Sequence, residues 1–87
     1  MFTGIIEEVG RVAQVEDLGG GRRFTIEAEM APALRVDQSV SINGACQTVV
    51  DVDGEAGTFA VVSIEETLRK TTFGGLTADD PVNLERA

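Results

Sequence analysis

Apolar residues in this chain come in short alternating runs broken by glycine, and that rhythm restricts it to a small fold made of strands. Residues 5–15 alternate irregularly around Gly10, where a bulge or bend is expected, as small barrels need at their corners. Gly19-Gly20-Gly21 breaks the chain as a hairpin turn, since no lysine or helix start follows to make it a phosphate cradle. Residues 23–29 then place Phe24, Ile26 and Ala28 on one face. Residues 30–34 fit one helical turn, with Pro32 tolerated near its start. Residues 38–42 and 46–52 read as strands joined by the tight-turn pair Asn43-Gly44. A turn at Asp53-Gly54 and Gly57 precedes a strand over 58–63. Residues 65–70 hold good helix formers and predict a short helix that ends before Gly74-Gly75. Residues 81–85 make the last strand, with Pro81 at its start. The expected fold is all-β: a small six-stranded antiparallel barrel with one or two short helices, closed so that no strand edge is left to pair with another chain.

Such a chain organises one core, so residues 1–87 are read as a single domain. A domain of this length buries only roughly two-thirds of its unfolded surface. Its single cysteine, Cys46, forms no intrachain disulfide, and no cluster of metal-ligating residues is present, so no metal is expected. Burial shared with a second copy is one remedy, and a homodimer is the expectation. The formal charge of −8, from 15 acidic and 7 basic residues, repels phosphate backbones and anionic bilayers, which argues against nucleic acid and membrane as partners. No apolar run approaches the roughly 20 residues that span a bilayer, and residues 1–8 lack the basic and apolar regions of a secretory signal. A cytoplasmic location with a reduced thiol is the resulting expectation.

The chemistry available is narrow. Without histidine there is no imidazole acid or base and no Ser-His-Asp or Cys-His arrangement. Without Trp or Tyr, the four phenylalanines (Phe2, Phe24, Phe59 and Phe73) are the only rings that could stack on a planar ligand. Three segments stand out. Phe2, next to the chain start, is either core filler or a plug for a neighbouring site. In the run Asn43 to Val49, a strand puts Cys46, Thr48 and Val50 on one face, where thiol and hydroxyl could meet a heterocycle edge; a buried small thiol and a β-forming threonine are the competing reading. Ser63 to Arg69 passes from strand to helix, either freeing first-turn N–H groups for a ligand or forming a capping box between Ser63 and Glu66.

Taken together these segments resemble the riboflavin synthase alpha-chain family and its non-enzymatic relatives, the lumazine proteins. The resemblance rests on Met1-Phe2-Thr3-Gly4-Ile5, on Asn43-Gly44-x-Cys46-x-Thr48-Val49, on Glu66-Thr67-Leu68-x-x-Thr71-Thr72-x-Gly74-x-Leu76, and on Val82-Asn83-Leu84-Glu85-Arg86, in that order along the whole chain. It implies a six-stranded Greek-key barrel that binds dimethyl-ribityllumazine or riboflavin and requires no metal or organic cofactor. Carried over by position, the ligand contacts are Gly4, Ile5, Ile6, Cys46, Gln47, Thr48, Val62, Ser63, Ile64, Glu65, Glu66 and Thr67, with Ser39 beside them. Phe2 and Thr3 are expected to touch a neighbouring site, and Cys46 is the candidate catalytic group.

Family members normally carry two such barrels, assembled as trimers, and the enzymes transfer a four-carbon unit between two lumazines to give riboflavin and a diaminopyrimidine. This chain departs from the pattern at Gln47, where leucine is usual, and at Asp79, where glycine is usual; it also lacks a second, histidine-containing barrel. The chain is therefore either a domain of a two-barrel transferase or a one-barrel lumazine or flavin carrier. An oligonucleotide-binding barrel is the third reading, disfavoured by the charge and the lack of Trp and Tyr platforms.

Overall fold

The computed structural model describes residues 2–64, Thr67 and residues 72–87. Six strands form the sheet: β1 (Glu8–Asp17), β2 (Gly21–Glu27), β3 (Ser39–Ile42), β4 (Ala45–Asp53), β5 (Thr58–Ile64) and β6 (Pro81–Arg86). They close in the order β1-β2-β5-β4-β3-β6, with every neighbouring pair antiparallel. The hairpins β1–β2, β3–β4 and β4–β5 are local, while the β2–β3 and β5–β6 connections cross over, which gives the expected Greek-key path. Short 3-10 helices, Ala31–Ala33 and Thr72–Gly75, occupy two connections. The helix expected over 65–70 lies outside the described residues, apart from Thr67.

Alternation fills the interior. Val12, Phe24, Ile26, Val40, Ile42, Val49, Phe59, Val61, Val82 and Leu84 all face one core with almost no solvent exposure. Phe73, from the second 3-10 helix, caps this core and meets Phe24 edge to face, with ring centroids 5.4 Å apart. That geometry aligns the positive edge of one ring with the negative face of the other.

Two expectations about β1 need correction. Its regular pairing begins at Glu8, and Ile5 and Ile6 stand before it, both exposed. The irregularity falls between Val12 and Gln14, not at Gly10. Gly10 is instead a point of close approach: a Cβ there would lie 2.8 Å from Leu84 Cδ1 and 2.9 Å from the Glu27 carbonyl. The Asn43-Gly44 turn does have positive φ at both positions, 52° and 85°, as a type I′ hairpin requires. Asn43 is also fastened to β6, since its N–H donates to the Asn83 carbonyl at 2.9 Å and its Oδ1 accepts from the Asn83 N–H at 2.8 Å.

Candidate functional site

Inward residues identify the outward ones. On β3, Val40 and Ile42 belong to the core, so Ser39 and Ser41 face out. On β4, Gln47 and Val49 are buried, so Cys46 and Thr48 face out, with Val50 at the irregularity that follows. On β5, Val61 and Ser63 are buried and Val62 and Ile64 face out, 40% and 60% exposed. Ser39 pairs with Thr48 and Ser41 with Cys46. The result is a patch on three adjacent strands: the half-buried Ser39 hydroxyl on β3 (Ser41 faces out too but is covered), a thiol and a hydroxyl on β4, and two aliphatic groups on β5. At about 4.8 Å per strand spacing it spans roughly 10 Å, enough for a fused heterocycle with its apolar face on β5 and its polar edge towards β3.

Arg23 borders the patch on β2, where it pairs in register with Val62 and its Nη2 lies 3.2 Å from Asp51 Oδ2. The thiol of Cys46 is free and exposed. Among the described residues no group of three or more His, Cys, Asp or Glu could hold a metal ion, and no helix is long and apolar enough to cross a membrane.

The structure brings together Ser39, Cys46, Thr48, Val62 and Ile64 of the residues expected from sequence. It separates Gln47 and Ser63 from them, because both side chains enter the barrel, where Ser63 Oγ donates to Gln47 Oε1 at 2.8 Å. The Ser63 hydroxyl thus serves a partner on β4 from within a strand, and the Glu66 half of the expected capping box lies outside the described residues. Glu65 and Glu66 lie outside the described residues, and Thr67 is half-buried. Phe24, Phe59 and Phe73 are committed to the core, which leaves Phe2, half-buried, as the one ring outside it.

Residues 3–6 flank the same face. Leu84 is in the core, so Glu85 faces out on β6, yet it is only 8% exposed because the N-terminal segment covers it. Its carboxylate accepts the Thr3 hydroxyl at 2.6 Å, the Thr3 N–H at 2.7 Å and the Gly4 N–H at 3.0 Å. The Thr3 hydroxyl bond, above all, holds the Glu85 carboxyl below the usual carboxylate range, against desolvation and, less so, repulsion from Glu7. A groove of about 430 Å³ runs beneath this segment, lined by Gly4, Ile6, Ser41, Asn43 and Glu85 among others. Ser41 and Glu85 were not among the residues expected from sequence. The Ser39-Val40-Ser41 alternation carries the signal for the first; the second depends on a contact between the two ends of the chain, which no local pattern reports.

A small closed barrel with one polar-to-apolar outer face defines a ligand-binding β-barrel domain. A lumazine binding domain model matches residues 3–87, and the chain belongs to that family. It is 42% identical to a riboflavin synthase of Actinobacillus pleuropneumoniae over 88 aligned residues, and 43% identical to one of Mycobacterium bovis. Each alignment covers all of this chain, but only 40% and 43% of those relatives, so the chain spans less than half their length. Among solved structures, it superposes on LumP complexed with 6,7-dimethyl-8-(1'-D-ribityl) lumazine with a TM-score of 0.89 at 25% identity, covering 100% of this chain and 49% of that one. LumP complexed with riboflavin gives a TM-score of 0.88 at 25% identity, covering 99% and 46% respectively.

Proposed function

We propose that residues 1–87 are one lumazine-binding barrel of a riboflavin synthase-type protein, which holds dimethyl-ribityllumazine or riboflavin on the outer face of β3, β4 and β5. The observation that carries this reading is the ordered patch itself. Exposed aliphatic side chains at Val62 and Ile64 cost free energy in water and gain it under a ring, while Ser39 and Thr48 offer hydroxyls to ring edges or a ribityl chain. The domain works in the cytoplasm with no metal or organic cofactor. Its parent activity is the transfer of a four-carbon unit between two lumazines, giving riboflavin and a diaminopyrimidine.

The patch lies on the convex side of the barrel, so it grips only one face of a ligand. A second barrel covers the other face: one from further chain brings two lumazines together in unlike half-sites, while a homodimer partner presents the same face twice. Proximity then supplies much of the rate, because orienting two bound molecules removes the entropy cost of their encounter. Cys46, beside Thr48 and Ser41, is the one thiol placed to touch the reacting rings. Riboflavin titrated into the chain, read by flavin fluorescence and by the rise in melting temperature, tests the reading, with low-micromolar affinity expected. No change in either signal up to about a hundred micromolar riboflavin would sink it.

A further inference from the structure

We propose that the Arg23–Asp51 pair and the recess beside it form the polyol end of the ligand site, taking a neutral ribityl tail while Val62 and Ile64 take the ring. The inference rests on the functional reading above and places the part of the ligand that the flat patch leaves unassigned. Arg23 pairs in register with Val62 of β5, and Asp51 pairs with Ala60 along the other edge of that strand. The two residues thus stand two strand spacings apart, roughly 10 Å. Their side chains close that span over the outer face of β5, with Nη2 3.2 Å from Oδ2. Ala60 alternates with inward Phe59 and Val61, so it points outward, yet it is only 2% exposed. The ion pair runs over it. Val62, the next outward position, stays open, so the pair ends the apolar patch as a wall.

At that wall the surface changes character. Thr25, Asp51, Asp53 and Thr58 line, with Arg23, a recess of about 120 Å³ on the same outer face. Register groups them, since Thr25 pairs with Ala60 and Asp53 with Thr58. Hydroxyls, carboxylates and a guanidinium beside an apolar surface suit a ligand of two parts, a flat ring and a chain of hydroxyl groups. A hydroxyl both donates and accepts, so a polyol satisfies carboxylate and guanidinium at once. A phosphate group brings acceptors and negative charge, and it would meet Asp51 and Asp53 as like charges. Asp51 already engages the Arg23 guanidinium, so the pair selects a neutral tail over an anionic one. Ser39 and Thr48, towards the other side of the patch, are left for the ring edge.

The test titrates three flavins into the full chain: riboflavin, riboflavin 5′-phosphate, and lumiflavin, which keeps the ring but has a methyl group in place of the ribityl tail. Arg23→Met should weaken riboflavin roughly 5- to 10-fold and leave lumiflavin unchanged, because only the tail reaches the pair. Asp51→Asn frees the guanidinium and removes a like charge, so affinity for riboflavin 5′-phosphate relative to riboflavin should rise about fivefold or more. Arg23→Met should lower that ratio. Thr25→Val alters no charge and should also weaken riboflavin while sparing lumiflavin, which decides the matter if Arg23→Met proves unstable. Equal losses for riboflavin and lumiflavin, no loss of riboflavin in either variant, or an unmoved phosphate preference in Asp51→Asn would overturn the assignment while leaving the functional reading intact. Failure of the unaltered chain to bind riboflavin overturns that reading first, and this assignment with it.

Discussion

Thr48 shows how one hydroxyl separates a binding role from a structural one. It faces outward beside Ser39, so Thr48→Val removes a donor and acceptor without opening a cavity. Riboflavin affinity should fall about 2- to 10-fold, and the urea midpoint should hold, because one hydrogen bond contributes about 0.5–1.5 kcal/mol. Asp79 tests a departure from the family pattern. Its φ of 75° lies in the left-handed region, and its carboxylate meets Arg11 Nη1, while Arg11 Nη2 reaches Glu27 at 3.1 Å. Its backbone N–H donates to the Val12 carbonyl at 2.7 Å, so the turn cannot relax freely. Asp79→Ala keeps the strained φ and loses the ion pair, and should cost about 1 kcal/mol. Asp79→Gly relieves the strain but loses only a solvent-screened surface pair, so its stability should lie near that of the unaltered chain. Chemical denaturation of the two variants measures the difference.

Among the elements, strands were legible because inward Phe24 and Ile26, Val40 and Ile42, or Val82 and Leu84 alternate with residues that tolerate water. Their ends read true to within about two residues for all but β1, where Ile5 and Ile6 are apolar yet sit outside the ladder. The faces were harder. On β4 the buried set includes Gln47 and the exposed set includes Val50, so hydrophobicity does not sort inside from outside there. What decides it is the Ser63–Gln47 hydrogen bond between the neighbouring strands β5 and β4, on their inward face, a pairing fact absent from either strand alone. Gly21 gives a prediction at this scale. It opens β2 opposite Ile64, and a Cβ would run into the Ser63 carbonyl oxygen of β5. Gly21→Ala should therefore spread the β2–β5 pair and destabilise the barrel by about 1–3 kcal/mol, seen as a lower urea midpoint. Gly20→Ala, where an added Cβ meets nothing within 4 Å, is the matched control.

For the whole molecule, acid should act on both ends of the chain at once. Arg86 hydrogen bonds, side chain first and backbone second, lower the Glu7 carboxyl below its ordinary range, as Thr3 and Gly4 do for Glu85. A carboxyl whose folded pKa is depressed gives stability that is fully present above its unfolded value, about 4.3, and is lost as pH falls through the folded value. Melting temperature should drop steeply below about pH 4.3, and Glu7→Gln should flatten that drop. At neutral pH a homodimer is expected; sedimentation showing only a 9.2 kDa species at tens of micromolar would count against it. Incubated with dimethyl-ribityllumazine, the chain alone should form riboflavin slowly or not at all, since two like faces cannot offer a second, different half-site. Robust multiple turnover that Cys46→Ser abolishes would reverse that expectation.

Closure of the barrel also has a meaning for how the protein is made. β6 sits between β1 and β3, pairing Leu84 with both Glu8 and Ile42. On a ribosome, β1 and β3 emerge early and wait, each with a bare flank, until β6 has left the exit tunnel. Synthesis at about 5–20 residues per second makes that wait several seconds long, ample time for strand-seeking chaperones or for misassembly between neighbouring nascent chains. Slow codons ahead of β6 should thus harm yield, and quick ones help it, in a barrel whose six described strands, once closed, leave no edge.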